Sequence, residues 1–387
     1  MSLRTEDCTS KLFRRVELRA WRWRGMSMTV RAYFSANYIE ARSKFLNACA
    51  DRGIDVEHRV NPRAIGASGE ELNMDIARIG SSAASKVLVL KSGTHGVEGY
   101  CGSGAQIGLL SEGFFSDLPN DLSVVLVHAM NPYGFSHDRR VNEDNVDLNR
   151  NFLDFDAPGR PQRDYTKIHA QILPEDWGGP AQIAANKALR QYIEAHGMRV
   201  FQAAVSGGQY QHADGIFFGG DQPPWSNETF RAVVTDYAQD AETVVFLDFH
   251  TGLGPYGYGE LISLGSLDQK ALARKWFGDQ VTDPDAGTSS SAPVVGTVGH
   301  GVAEVLTDAS IVFIAMEYGT RDINQVLTAL RADNWLYHKG DLNSDLGRAI
   351  KADIRDAFYP DADDWKNMVW TRALEVTDIA LKGLSQS

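Results

Sequence analysis

The chain has 387 residues, 43% hydrophobic and 23% charged, with a net charge of -12. Those proportions are ordinary for a globular protein, and the acidic balance argues against a nucleic-acid partner, which calls for a basic face. Three cysteines (Cys8, Cys49, Cys101) form no CxxC pair, so neither a disulfide framework nor a zinc knuckle is expected, and a reducing, cytoplasmic setting suits the chain.

Residues 1–28 carry several arginines with Phe13, Trp21 and Trp23 but no apolar core. They read as a leader outside the folded unit, with Met26 and Met28 as later possible starts. No apolar run reaches the ~20 residues of a membrane helix. From residue 29 to 387 no linker or repeat interrupts the pattern, and one catalytic domain is expected.

Ser35 is a candidate N-cap for a helix through Tyr38, Phe45 and Cys49, stopped at Gly53. Val56–Val60 and Leu72–Ile76 read as strands, the second half-buried by its alternation, and together as an antiparallel edge hairpin. Val87–Leu90 and Val124–Val127 are short apolar runs of the kind buried inside a parallel sheet, with a helix over 102–110 between them. Residues 154–180 read as an irregular excursion. Helices are expected over 184–196, 230–238, 271–277, 302–306 and much of 324–384. Val244–Gly252 and Ile311–Gly319 are the last two buried strands. Apolar strands alternating with helical patterns predict an α/β fold of three layers, with a mixed, mostly parallel central sheet and helices on both faces.

The chemistry gathers where these strands end. Val87–Leu90 runs into Ser92-Gly93-Thr94-His95-Gly96-Val97-Glu98-Gly99, which places an imidazole and a carboxylate at the carboxyl edge of the sheet. Val244–Gly252 ends with His250, and Ile311–Gly319 with Glu317. A lone histidine after a strand is usually structural. Several ionisable groups at successive strand ends are what a catalytic zinc requires: about three protein ligands, an open position and a base. The glycines at 99, 102 and 104 do not make a GxGxxG, and no GxxxxGK occurs, so a nucleotide fold is unsupported.

Taken in order, His95-Gly96-Val97-Glu98, Asp147-Leu148-Asn149-Arg150-Asn151-Phe152, Asp248-Phe249-His250-Thr251 and Glu317-Tyr318-Gly319-Thr320 resemble the motif set of the zinc carboxypeptidase superfamily. Its branches include metallocarboxypeptidases and the succinylglutamate desuccinylase and aspartoacylase relatives. The pattern looks most like a bacterial carboxypeptidase-like branch and spans roughly residues 30 to 370.

The resemblance implies that His95, Glu98 and His250 hold Zn2+ and that Glu317 is the general base. It implies Arg140 for the oxyanion, with Arg139 as the neighbouring alternative. Asn149 and Arg150 would hold a substrate carboxylate, and Asp147 would orient His95. The implied substrate is a peptide or acyl-amino acid with a free carboxylate, cleaved by a metallocarboxypeptidase; the alternative is an N-acyl amino acid deacylase. A binding protein that has lost catalysis would need neither Glu317 nor Arg140. Carboxypeptidases also carry a substrate-contacting tyrosine shortly before the catalytic glutamate. This chain has none between Tyr258 and Tyr318, which leaves Tyr210, Tyr256 and Tyr258 as candidates if their loops reach the pocket.

Overall fold

The computed structural model describes residues 29–157 and 164–387. The leader expected over 1–28 lies outside these residues, as does part of the 154–180 excursion. Eight strands form one sheet: β1 (Val56–Val60), β2 (Asn73–Ile79), β3 (Lys86–Lys91), β4 (Leu122–His128), β5 (Thr243–Tyr256), β6 (Glu260–Ser263), β7 (Val281–Thr282) and β8 (Ser310–Gly319). Their order is β1-β2-β4-β3-β5-β8-β6-β7. The four central strands β4, β3, β5 and β8 are mutually parallel. Antiparallel pairings at β1–β2, β2–β4 and β6–β8 make the sheet mixed.

Both faces of the parallel centre are buried, as its apolar runs require. Leu88, Leu90, Val245 and Leu247 point into one apolar cluster with Phe45, Leu109 and Trp365. Val87, Val89, Val244 and Phe246 point the other way, onto Phe230 and Val302. Helices α1 (Tyr38–Ala50) and α2 (Gly99–Ser111) cover the first face. After two short helices, Pro132–Ser136 and His169–Ile172, come α3 (Pro180–His196), α4 (Met198–Ser206) and α5 (Trp225–Ala238), then α6 (Leu267–Phe277) and α7 (Val298–Val305). The C-terminal segment is α8 (Ile323–Lys339), α9 (Asp345–Phe358) and α10 (Asp363–Gln386). Residues of α10 return to the first face, and α5 and α7 cover the second. Each large apolar side chain so buried is worth ~1.5–3 kcal/mol, more than a typical net hydrogen bond.

Three details differ from expectation. The cap of α1 is Asn37, not Ser35: its side chain accepts from Glu40 N at 2.9 Å, while the Glu40 carboxylate takes Ala36 N at 2.7 Å. Strand β2 is buried from Asn73 to Ala77 rather than half-exposed. Met74 and Ile76 enter the second cluster, and on the opposite side Asp75 is covered by α1 through an ion pair with Arg42 at 2.8 Å. Helix α4 and the short strands β6 and β7 were not expected at all. The β6–β7 pair extends the sheet beyond β8.

Candidate metal centre

Strand order sets the site. β3, β5 and β8 are neighbours, and all three run in the same direction. His250 and Glu317 are register partners across β5 and β8, so their side chains leave the same face side by side. The turn after β3 depends on glycine. Gly93 has φ +68°, and a Cβ there would lie 2.8 Å from the Ala129 methyl. A Cβ on Gly96 would fall 1.9 Å from the Gly134 carbonyl carbon. That close approach allows Gly96 N and Val97 N to donate to the carbonyls of Arg140 and Arg139, at 3.2 and 2.9 Å. The arginine segment is thereby fastened to the His95–Glu98 turn.

His95, Glu98 and His250 converge, each offering one ligand atom within 4.8 Å of the others. The Nδ1 atoms of the two imidazoles face each other at 3.3 Å. Glu98 bridges them, with Oε1 2.9 Å from His95 Nδ1 and Oε2 3.3 Å from His250 Nδ1. Behind each imidazole stands a second carboxylate. Asp147 Oδ1 lies 3.2 Å from His95 Nε2, and Asp248 Oδ2 lies 2.8 Å from His250 Nε2, the latter an ion-pair contact too bent for a hydrogen bond. A carboxylate that accepts from one ring nitrogen fixes the tautomer and leaves the opposite nitrogen to a metal, and Asp147 is placed to do so for His95. Lys91, wholly buried, pairs with Asp248 at 2.8 Å.

Arg140 completes the ring. Nε reaches Asp147 Oδ2 at 2.9 Å, Nη1 reaches Glu98 Oε1 at 3.0 Å, and Nη2 lies 2.9 Å from His95 Nε2. Arg139 turns the other way, to Asp333 and Asn145, so of the two arginines it is Arg140 that reaches this ring. Glu317 Oε1 accepts from Leu253 N at 3.0 Å.

Four buried carboxylates (Glu98, Asp147, Asp248, Glu317) gather here with Lys91 and Arg140, and the Arg150 charge also acts on Asp147. Burial lowers the pKa of His250, but Asp248 and Glu98 outweigh burial and raise it to about 10. Burial first, and the Glu98 charge second, push Glu317 up to about 8. For Glu98 burial acts upward, but His95, His250 and Arg140 hold it well below the carboxylate range. Two imidazole nitrogens and a carboxylate, oriented from behind, are the donor set of a catalytic zinc site.

His95, Glu98, His250, Glu317, Arg140, Asn149 and Arg150 line one cavity of about 150 Å³. Asn149 Oδ1 accepts from Val298 N at 3.0 Å. Arg150 donates through Nε and Nη2 to Ser206 O, at 3.0 and 2.7 Å, which ties it to the end of α4. The three tyrosines considered from the sequence do not reach the cavity. Tyr210 donates to Arg150 O at 2.6 Å, while Tyr256 and Tyr258 are 40% and 50% exposed. Where the sequence lacked a tyrosine, the segment before β8 supplies Ser290, Ser291, Ala292 and Val294. Phe201, Val205 and Phe217 also line the wall, and sequence reasoning missed them. The amphipathic spacing of Phe201, Ala204 and Val205 was the available signal.

The family described as "Protein of unknown function (DUF2817)" matches residues 34–372. The chain belongs to that family. No curated protein matches this DUF2817 chain in sequence. Solved structures similar to it include carboxypeptidase A from Helicoverpa armigera, at 14% identity and TM-score 0.42, covering 92% of this chain and 83% of that one. A murein-tripeptide amidase from Escherichia coli O157 aligns at 16% identity and TM-score 0.31, covering 76% and 91%. An aspartoacylase family protein from Mesorhizobium loti aligns at 12% and 0.34, covering 74% and 67%. At such scores these likenesses say nothing about the activity of the DUF2817 chain.

Proposed function

We propose that this protein is a zinc-dependent amide hydrolase of metallocarboxypeptidase type, cleaving next to a residue with a free carboxylate. The observation that carries the reading is the convergence of His95 Nδ1, His250 Nδ1 and the Glu98 carboxylate beside Glu317. A zinc held by these three would lower the pKa of a water to about 7 and polarise a carbonyl.

The protein's own groups supply the rest. Glu317, seated beside His250, takes a proton as the attacking oxygen forms its bond and returns it to the leaving nitrogen. Its proton affinity, already raised by burial, suits a group that must both accept and give at neutral pH. Arg140, anchored by Glu98 and Asp147, keeps a fixed cation at the cavity where negative charge develops on the carbonyl oxygen. Arg150, held at the wall by Ser206 and its own neighbour's carbonyl, offers a planar cation for a carboxylate, with Asn149 beside it. Asp147 and Asp248 hold the two imidazoles in register.

Arg150→Ala tests the reading. With zinc-loaded protein, the substitution should raise KM at least tenfold for peptides with a free C-terminus and leave C-terminally amidated peptides unaffected. Equal loss on both would remove Arg150 from substrate binding, and an inactive wild type towards both would remove the peptidase reading.

A further inference from the structure

A second group of metal-ligating side chains lies outside the strand-end centre. His169, on the short helix His169–Ile172, meets His212 and Asp214 of the loop after α4, with one ligand atom from each within 4.8 Å of the others. None of the three lines the cavity at the strand ends. The two imidazoles stack, with ring centroids 4.0 Å apart and planes 20° from parallel. His169 Nε2 lies 3.3 Å from Asp214 Oδ1. Zinc bonds of ~2.0–2.1 Å to nitrogen and oxygen set neighbouring donors of a tetrahedron about 3.3 Å apart, so this edge already has coordination spacing.

The hydrogen bonds around the group leave nitrogen lone pairs open. Thr166 Oγ1 donates to Gln211 Oε1 at 2.6 Å and lies 2.9 Å from His212 Nε2. A hydroxyl has one proton to give, so the His212 contact requires Nε2–H as its donor. That leaves His212 Nδ1 as the bare nitrogen, and such a lock on the tautomer is what metal-binding imidazoles use. His169 Nδ1 is buried and meets no hydrogen-bond partner among the described residues, so hydrogen bonding within the chain does not account for this imidazole's place. The loop is set before any ion arrives. Gln209, 2% exposed, accepts from Gln211 N and His212 N at 3.1 and 2.9 Å and donates to His212 O at 2.7 Å. Asn145 and Asn334 donate to the carbonyls of Ala213 and Asp214, both at 2.8 Å. Donors already fixed in place lose little freedom on binding.

We propose that His169, His212 and Asp214 form a second divalent-metal site of the zinc class, with water completing its shell. Two imidazoles and one carboxylate suit zinc over calcium or magnesium, which take oxygen donors. The ion would fasten residues 164–172 to the loop that carries Phe217. Phe217 stands at the wall of the strand-end cavity, with the Arg140 guanidinium 5.0 Å from its ring centroid. The Asp214 side chain is 50% exposed and that of His169 19%, so this ion exchanges with solvent and leaves on desalting, whereas the buried strand-end centre keeps its own. The proposal does not depend on the hydrolase reading.

The test is a calorimetric titration with zinc chloride of the full chain, first loaded with zinc and desalted. Wild type should bind one further zinc. His212→Ala and Asp214→Asn should each weaken that event at least tenfold, and Thr166→Val, which removes the lock on the tautomer, about tenfold. Asp214→Asn alters an exposed group, so a fold lost in His212→Ala leaves the test standing. His250→Ala, which dismantles the strand-end centre, should leave the event intact; its loss there would assign the ion to that centre and overturn the proposal. No further zinc in wild type, or binding at full strength in both His212→Ala and Asp214→Asn, would overturn it as well.

Discussion

Two imidazole nitrogens that face each other at 3.3 Å across a carboxylate oppose their lone pairs unless positive charge lies between them. A proton or a metal can serve, and the raised pKa of His250, about 10, places a proton there at neutral pH. Metal ligands must shed such protons. Zinc binding at pH 7 should therefore release at least one proton per chain, read by calorimetry in two buffers of different ionisation enthalpy; binding with no proton release would contradict this arrangement. The sign follows: metal affinity rises with pH while His250 remains protonated in the free protein. Glu317 accepts from Leu253 N and is no member of the converging donor set. Glu317→Gln should lower kcat by at least 10³ while zinc content stays the same. Loss of zinc along with activity would make Glu317 a ligand instead.

At the scale of elements, β4 carries a group that links pH to stability away from the centre. His128 is wholly buried, stacked on Phe45 at 4.6 Å, with Nε2 2.8 Å from Ser103 Oγ. Burial lowers its pKa to about 4, below the unfolded value of about 6.5. A depressed folded pKa means the neutral ring favours folding above pH 6.5, and that contribution is lost as pH falls towards 4. The loss amounts to about 3 kcal/mol. Denaturant unfolding at pH 7 and pH 4 should show a steeper decline for wild type than for His128→Gln; parallel declines would contradict it. The strands themselves were legible. β3, β4, β5 and β8 are apolar runs that end in glycine or a polar residue, because burial on both faces leaves no room for alternation. β6 and β7 were not, since four and two residues are too few for a period to show. Helix α4 follows Gly197 directly after α3, and its apolar face packs with Leu189 of α3, with Tyr165, Ile168 and Phe217, and with Val326 and Leu330 of α8, more than a hundred residues later.

At the scale of the whole molecule, the sheet converts sequence separation into adjacency. His95 and His250 stand 155 positions apart and touch because β5 pairs with β3. Local pattern marked which residues stand at strand ends but not which strands are neighbours, so the expectation that His95, Glu98 and His250 meet came from the motif resemblance and not from periodicity. The lack of a tyrosine between Tyr258 and Tyr318 was legible too, while the place of Ser290, Ser291, Ala292 and Val294 at the cavity wall depended on how the segment before β8 folds. The central claim is that one divalent metal is held by His95, Glu98 and His250. Metal analysis of protein loaded with zinc and then desalted tests it most directly. The prediction is one zinc per chain in wild type and Glu317→Gln, and none in His250→Ala that remains folded; zinc retained by His250→Ala, or none in the wild type, would contradict it.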